Sequence, residues 1–352
     1  MKDSLTSRER WQAVLDKEKK PDRIPLDYRG TSEVNNMLKK YLKCNTMEEI
    51  YNKLHLDVPV NIAPEYVGPS LPENTDIYGC IYKDVSYNTG VYRECVSHPL
   101  AGYNSVDEIE KNYRWPSVDW YDYYNIPKQI RGKEDRPICG GGSEPFLIYK
   151  NLRGDEQAFI DLELNPSLVN YCLDHLYEFC YKNTQRIYEQ IPGEVMLTHV
   201  AEDMGSENNL MYSPEQIKKF FIPRMKKMIE LVHDEGAYVI HHSDGAIRKI
   251  IPDMIEAGID ILDPVQWRCK GMEREALKRD FGDELIFHGA MDNQITLAFG
   301  SKTDVEKEVL ENLNIFGKDG GYILAPCHNI QPITSPEIIA TMYVTAYNNS
   351  KI

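Results

Sequence analysis

With 352 residues and 42% hydrophobic side chains, the chain is long enough to bury a large core. Its 55 acidic against 40 basic residues give a formal net charge of -15, which argues against nucleic acid as a partner for want of a basic surface. The N-terminus MKDSLTSRERWQAVLDKEKK is too charged for a signal peptide, no stretch approaches the roughly 18 apolar residues of a bilayer span, and the eight cysteines include no C-x-x-C pair, so a cytoplasmic chain with reduced thiols is expected, with no membrane contact.

Ser7 to Lys17 reads as a helix capped by Ser7, with Trp11, Val14 and Leu15 on one face. The first strand, Arg23 to Gly30, brings Asp27 and Arg29 to its end, either into a pocket or as a surface ion pair. Residues 31–55 read as helical and 57–66 as a second strand. From Tyr78 to His98 the residues alternate around Asn88-Thr-Gly90, which predicts a hairpin within an insertion at about 67–135. The aromatic run Trp115, Trp120, Tyr121, Tyr123 and Tyr124 either packs that insertion or lines a site for an aromatic substrate.

From residue 135 strands and helices alternate. Pro137 to Gly142 is a strand entering a glycine run without the spacing of a nucleotide-binding loop, so close backbone packing or substrate approach explains it better. Pro166 to Gln190 is a long amphipathic helix. The strand Val195 to Val200 ends in Ala201-Glu-Asp203, and Ser213 caps a helix running to Gly236. Ala237 to Gly245 is an apolar run that ends in His241-His-Ser-Asp244, the pattern of a buried parallel strand delivering polar side chains to a turn. Strands at Asp260 to Val265, Leu285 to Asp292 and Gly321 to His328, with helices at 302–316 and 335–348, complete the series.

Eight strands, beginning near residues 23, 57, 137, 195, 237, 260, 285 and 321, with intervening helices, predict an α/β chain folded as one (β/α)8 TIM barrel over 1–352, with an N-terminal helix and an inserted β-hairpin. A doubly wound open sheet is the alternative. In such a barrel the carboxyl ends of the strands build the site, and there the chain places Asp27, Arg29, Glu202, Asp203, His241 to Asp244, Asp263, His288, Asp292, Cys327 and His328. Carboxylates, imidazoles and a thiol in one cleft imply a metal centre or acid/base chemistry. His242 and Asp244, with Cys327 or His328 from the last strand, make a candidate zinc set, although a histidine at a strand end more often satisfies backbone groups than it binds a metal. A second set, Glu163, Glu178 and His199, is set aside: Glu178 lies roughly 18 Å along the helix from Pro166 at about 1.5 Å per residue.

Ser7-Arg-Glu-Arg-Trp, Asp22-Arg-Ile-Pro-Leu, His242-Ser-Asp-Gly245, Gly258-Ile-Asp-Ile-Leu-Asp-Pro264, Phe281-Gly-Asp, Gly289-Ala-Met-Asp292 and Gly320-Gly-Tyr-Ile-Leu-Ala-Pro326 together resemble the uroporphyrinogen decarboxylase superfamily across nearly the whole chain. Within it the chain looks more like the cobamide-dependent methyltransferases. Members that methylate thiols carry His-x-Cys-Gly and a second cysteine on the last strand. Here Asp244 replaces the first cysteine and the second motif reads Cys327-His328, with His328 at the ligand position when no gap is allowed. A carboxylate and an imidazole in place of thiolates make a harder, more Lewis-acidic ion, suited to an ether oxygen.

Together with Glu202-Asp-Met-Gly and Cys327-His-Asn-Ile-Gln331, this resembles the O-demethylase branch. The resemblance implies removal of a methyl group from a methoxylated aromatic, with cobalamin on a separate corrinoid protein as acceptor. Zinc or an acid stabilises the leaving phenolate, Glu202 or Asp203 supplies the proton, and Asp27 and Arg29 join them as catalytic candidates. The alternatives are a cofactor-free decarboxylase of the uroporphyrinogen type and a methylcobamide:thiol methyltransferase of the coenzyme M kind. If the protein is not a monomer, the expected assembly is a homodimer.

Overall fold

The computed structural model describes residues 3–17, 20–87, 90–318 and 320–351. Seven parallel strands form one sheet in chain order: β1 (Val60–Ile62), β2 (Ile138–Ser143), β3 (Leu197–Val200), β4 (Tyr238–His242), β5 (Ile261–Asp263), β6 (Ile286–Met291) and β7 (Tyr322–Pro326). The order never reverses, so there is no switch point of a doubly wound sheet.

Residues 23–30 occupy the place of the expected first strand without forming a regular ladder. Leu324 donates its N–H to the Pro25 carbonyl at 3.0 Å, Asp27 donates to the Leu324 carbonyl at 2.9 Å, and Asp57, just ahead of β1, donates to the Leu26 carbonyl at 2.7 Å. The seam between β7 and β1 is thus spanned, and the fold is TIM-barrel-like. Pro25 has no N–H to give, and the Leu26 N–H goes to the Asp57 carboxylate at 3.0 Å, which leaves isolated bridges instead of a ladder. The strand expected over 57–66 joins the sheet only at Val60–Ile62, because Glu65–Tyr66 pairs with Tyr121–Asp122.

The helix Ser7–Asp16 is capped by Thr6, which forms a capping box with Glu9; Ser7, expected as the cap, donates its hydroxyl to Asp57 at 2.8 Å. Trp11, Val14 and Leu15 join Cys139, Leu197, Ile240, Ile261, Ile286 and Ile323 in one buried cluster. Those six residues come from successive strands, so the helix plugs the barrel below an apolar layer. Because side chains two apart on a strand share a face, the next inward layer holds His199, His242, Asp263 and His288. The plug and the polar layer are in reach of each other: Trp11 and His288 have ring centroids 6.3 Å apart.

The 31–55 stretch is two helices, Ser32–Leu42 and Met47–Leu54, parted at Lys43 with φ 55. The helices beginning at Ser213 and Ser301 each contain a π-helical stretch, Ile217–Phe221 and Leu313–Gly317. Ile81–Tyr87 pairs antiparallel with Gly90–Ser97, while Asn88 and Thr89 of the expected turn lie outside the described residues. The aromatic run packs the 67–135 segment onto the helix Pro166–Gln190: Trp115 stacks on His175 with centroids 4.7 Å apart, and the Tyr123 hydroxyl donates to Asn183 at 2.9 Å. The glycine run is a close-packing device. A Cβ on Gly142, at φ +114, would lie 2.1 Å from the His199 carbonyl oxygen. Among the described residues no helix is long and apolar enough to cross a membrane.

Candidate functional site

Asp263 ends β5 with no exposed surface and gathers three partners. Its Oδ2 accepts from Arg29 Nη1 at 2.8 Å and from His242 Nδ1 at 2.9 Å, and its Oδ1 accepts from His288 Nδ1 at 2.6 Å. His288 Nε2 in turn donates to Asp27 Oδ2 at 3.0 Å, so that one buried imidazole bridges two carboxylates. Burial opposes ionisation of Asp263, but the charges of Arg29 and His288 hold its carboxyl well below the usual range. His242 shows the reciprocal effect: burial disfavours its charge, and the bond to Asp263 outweighs this and raises it to about 9. Asp27 and Arg29 therefore do not form a surface ion pair with each other; each meets a partner inside the barrel.

Above this layer two turns are clamped together. Met204 donates its N–H to the Ser243 hydroxyl at 3.0 Å, Ala246 donates to the Ser206 carbonyl at 2.8 Å, and Asp244 donates its N–H to Asp203 Oδ1 at 2.8 Å. The approach requires glycine on both sides, since a Cβ on Gly245 would lie 2.6 Å from the Gly205 carbonyl carbon. As a result Asp203, His242 and Asp244 offer ligand atoms within 4.8 Å of one another. Burial, reinforced by Asp203, raises the Asp244 carboxyl against the pull of His242. Two carboxylates and an imidazole fit a divalent ion of the zinc type, and the His242–Asp263 bond fixes the ring so that Nε2 is the nitrogen left for it.

The family model for uroporphyrinogen decarboxylase (URO-D) matches residues 106–348. The chain belongs to the uroporphyrinogen decarboxylase family. It is also similar in structure to a methyltransferase from Methanosarcina mazei, with a TM-score of 0.69 and 20% identity over 98% of this chain and 99% of that one. No curated protein matches the sequence.

In this URO-D family chain the remaining candidates separate by direction. Glu202 faces away from Asp203: its Oε1 accepts from Phe146 N–H at 3.0 Å, in the first turn of the helix Pro145–Arg153, and burial raises its carboxyl well above the usual range. It caps a helix outside the barrel and does not face the mouth. Cys327 Sγ donates to the Val265 carbonyl at 3.3 Å and, being buried, has its thiol pushed well up; His328 is exposed. Neither belongs to the close group of possible ligands, although both line a cavity of about 610 Å³ together with Asp244. Asp203, read from the sequence as an acid, stands in that group instead. His241 bonds the Val200 carbonyl at 2.8 Å within the core, and burial lowers it to about 4.

Glu163 and Glu178 are exposed, Glu178 in a surface pair with Lys182, but His199 does not share their fate. It lies on the inward face of β3, where burial, with Arg29, lowers it to about 4. The sequence carried the signal for His199, Asp263 and His288. Each stands two residues beyond an inward apolar residue, Leu197, Ile261 and Ile286.

Proposed function

We propose that this protein is a methyltransferase that removes the methyl group of a methoxylated aromatic and passes it to a cobalt(I) corrinoid carried by a separate protein. The observation that supports this best is the ligand group Asp203, His242 and Asp244, which contains no thiolate and stands beside the cavity. A metal held there would act as a Lewis acid on the ether oxygen, whereas a thiolate-rich centre suits activation of a bound thiol. The chain's own residues supply the rest. Asp263 holds His242 in one tautomer, Asp203 anchors the turn that carries Asp244, and Arg29 and His288 compensate the buried charge of Asp263. In the overall step the methyl–oxygen bond breaks, the aryl oxide keeps its electron pair, and cobalt(I) supplies both electrons of the new bond to carbon.

Decarboxylation of a porphyrinogen is disfavoured by charge. Such a substrate carries many carboxylates, and the arginines nearest the cavity are already paired, Arg268 with Asp292 and Arg29 with Asp263, while Glu207 and Asp244 line it. Zinc-loaded protein mixed with reduced cobalamin and a panel of methoxylated aromatics, methylated thiols and methylated amines tests the proposal. Loss of cobalt(I) absorbance is expected with the aromatic ethers. Transfer from none of the panel overturns it, and full activity after prolonged chelation, with no metal by elemental analysis, removes the metal from it.

A further inference from the structure

Glu144 stands between β2 and the helix Pro145–Arg153, where a polar side chain ordinarily caps the helix. It does not do so. The N–H it would take, that of Phe146, already donates to Glu202 Oε1 at 3.0 Å, and among the described residues no other hydrogen bond reaches the Glu144 carboxyl.

The glycine run sets where that carboxyl points. A Cβ on Gly140 and one on Gly141 would both meet the helix Pro166–Gln190, at Ile187 (3.4 Å) and at Thr184 (2.6 Å), so two successive residues face the helix layer. This bulge shifts the alternation by one, and Gly142 pairs with the inward-facing His199. Ser143 and Pro145 then line a gap in the helix layer together with Glu202, and Glu144 between them turns inward. Without the extra residue it would face the helices. Half-buried, it meets the charges of His242, Asp203 and Asp244 across the mouth and of Lys150 on its own helix, with Glu202 and Cys180 behind it. Burial, with the two aspartates, raises its carboxyl against the pull of His242 and Lys150.

We propose that Glu144 is the general acid of this site and gives its proton to the aryl oxygen as the methyl group leaves. This rests on the methyl-ether reading above and adds the proton donor to it. Glu202 caps a helix and Asp203 is tied to the Asp244 N–H within the ligand group, so neither is free for the task. In the step the methyl–oxygen bond breaks with its electron pair on oxygen, and cobalt(I) supplies the pair that binds the carbon. The O–H bond of Glu144 breaks with its pair on the carboxylate, and the proton joins the aryl oxygen to give a neutral phenol. Solvent water returns a proton to Glu144 through its exposed side.

Leaving-group dependence tests this. Zinc-loaded wild-type and Glu144→Gln proteins are compared with reduced cobalamin on the most active methoxyarene of the panel above and on its derivative with a nitro group para to the ether. A nitrophenolate leaves without a proton, whereas an ordinary phenolate is a poor leaving group. The substitution should therefore lower kcat about 100-fold on the parent ether and less than about threefold on the nitro ether, with bound zinc unchanged. The fall of kcat at high pH on the parent ether should also vanish in E144Q. Independently of turnover, infrared difference spectra across a pH titration should show a protonated-carboxyl band, persisting to higher pH than that of exposed glutamates, that E144Q lacks. Equal losses on both ethers, loss of zinc in E144Q, or an unchanged carboxyl band overturns the acid role alone. A panel with no active methoxyarene overturns the methyl-ether reading and the acid role with it.

Discussion

The carboxylate of Asp263 holds the Nδ1 of His242 at 2.9 Å, and the two residues face each other in register across β4 and β5. This one contact joins the buried charge layer to the ligand group at the mouth. Substituting Asp263→Asn should preserve shape while removing the charge that orients His242. Metal affinity is expected to fall by about 10- to 100-fold, as for other partners behind a ligating histidine, with the far-UV spectrum unchanged. Competition with a chromogenic chelator measures it. Asp263→Ala should in addition destabilise the fold by about 3–5 kcal/mol, because Arg29 and His288 lose their buried counter-charge.

The ligand group makes a sharper distinction. His242→Ala and Asp203→Ala should each reduce zinc to below one ion per chain after loading and dialysis, whereas Cys327→Ala should keep it. Loss of zinc in the Cys327 variant would move the site to the last strand.

Trp11 lies at the base of the barrel with no exposed surface, its indole N–H donating to the Asp57 carbonyl at 2.8 Å. Trp11→Ala removes both the plug and that bond. A loss of about 3–5 kcal/mol is expected in urea denaturation, of the size seen for large aromatic truncations.

Gly142 tolerates no side chain. Its φ of +114 and the predicted 2.1 Å contact of a Cβ with the His199 carbonyl oxygen would force β2 and β3 apart. Gly142→Ala should lower the denaturation midpoint by more than Gly132→Ala, where φ is +75 and nothing lies within 4 Å. Equal shifts would mean that backbone conformation alone matters.

Acid stability should depend on Asp161. It is fully buried and accepts from Arg153 Nε at 2.6 Å, the Tyr149 hydroxyl at 2.8 Å, Asn165 at 2.8 Å and Gln157 at 2.9 Å. Burial would raise its carboxyl, but these donors outweigh it and the net shift is downward. A carboxyl lowered in the folded state binds fewer protons there than in the unfolded chain. Its contribution is therefore present above the unfolded value of about 3.9 and is lost as pH falls through the folded one. Asp161→Asn should flatten the acid side of a stability–pH curve and leave the change between pH 6 and 8 alone.

Much of this molecule was legible in its residue pattern. The alternation of apolar runs and helical periods located the strands, since both signals depend on neighbours along the chain. The run from His241 to Asp244 marked a strand end, and Gly140 to Gly142 signalled close packing rather than a phosphate loop. The first strand was overread, because Pro25 and the pull of Asp57 on Leu26 N–H break its ladder in a way that only the partner strands reveal.

The direction of each strand-end side chain was harder. Glu202 and Asp203 are adjacent and acidic, and composition does not distinguish them; the clamp of Gly205 on Gly245 turns Asp203 toward Asp244 and leaves Glu202 capping a helix. Cys327 sits beside the cavity yet bonds the Val265 carbonyl, 62 residues away in sequence. The sequence by itself determined which residues reach the carboxyl ends of the strands, because period and punctuation are local. Only the tertiary structure decided which of them meet, because a one-residue change of facing moves a carboxylate from the barrel's inside to its helix layer.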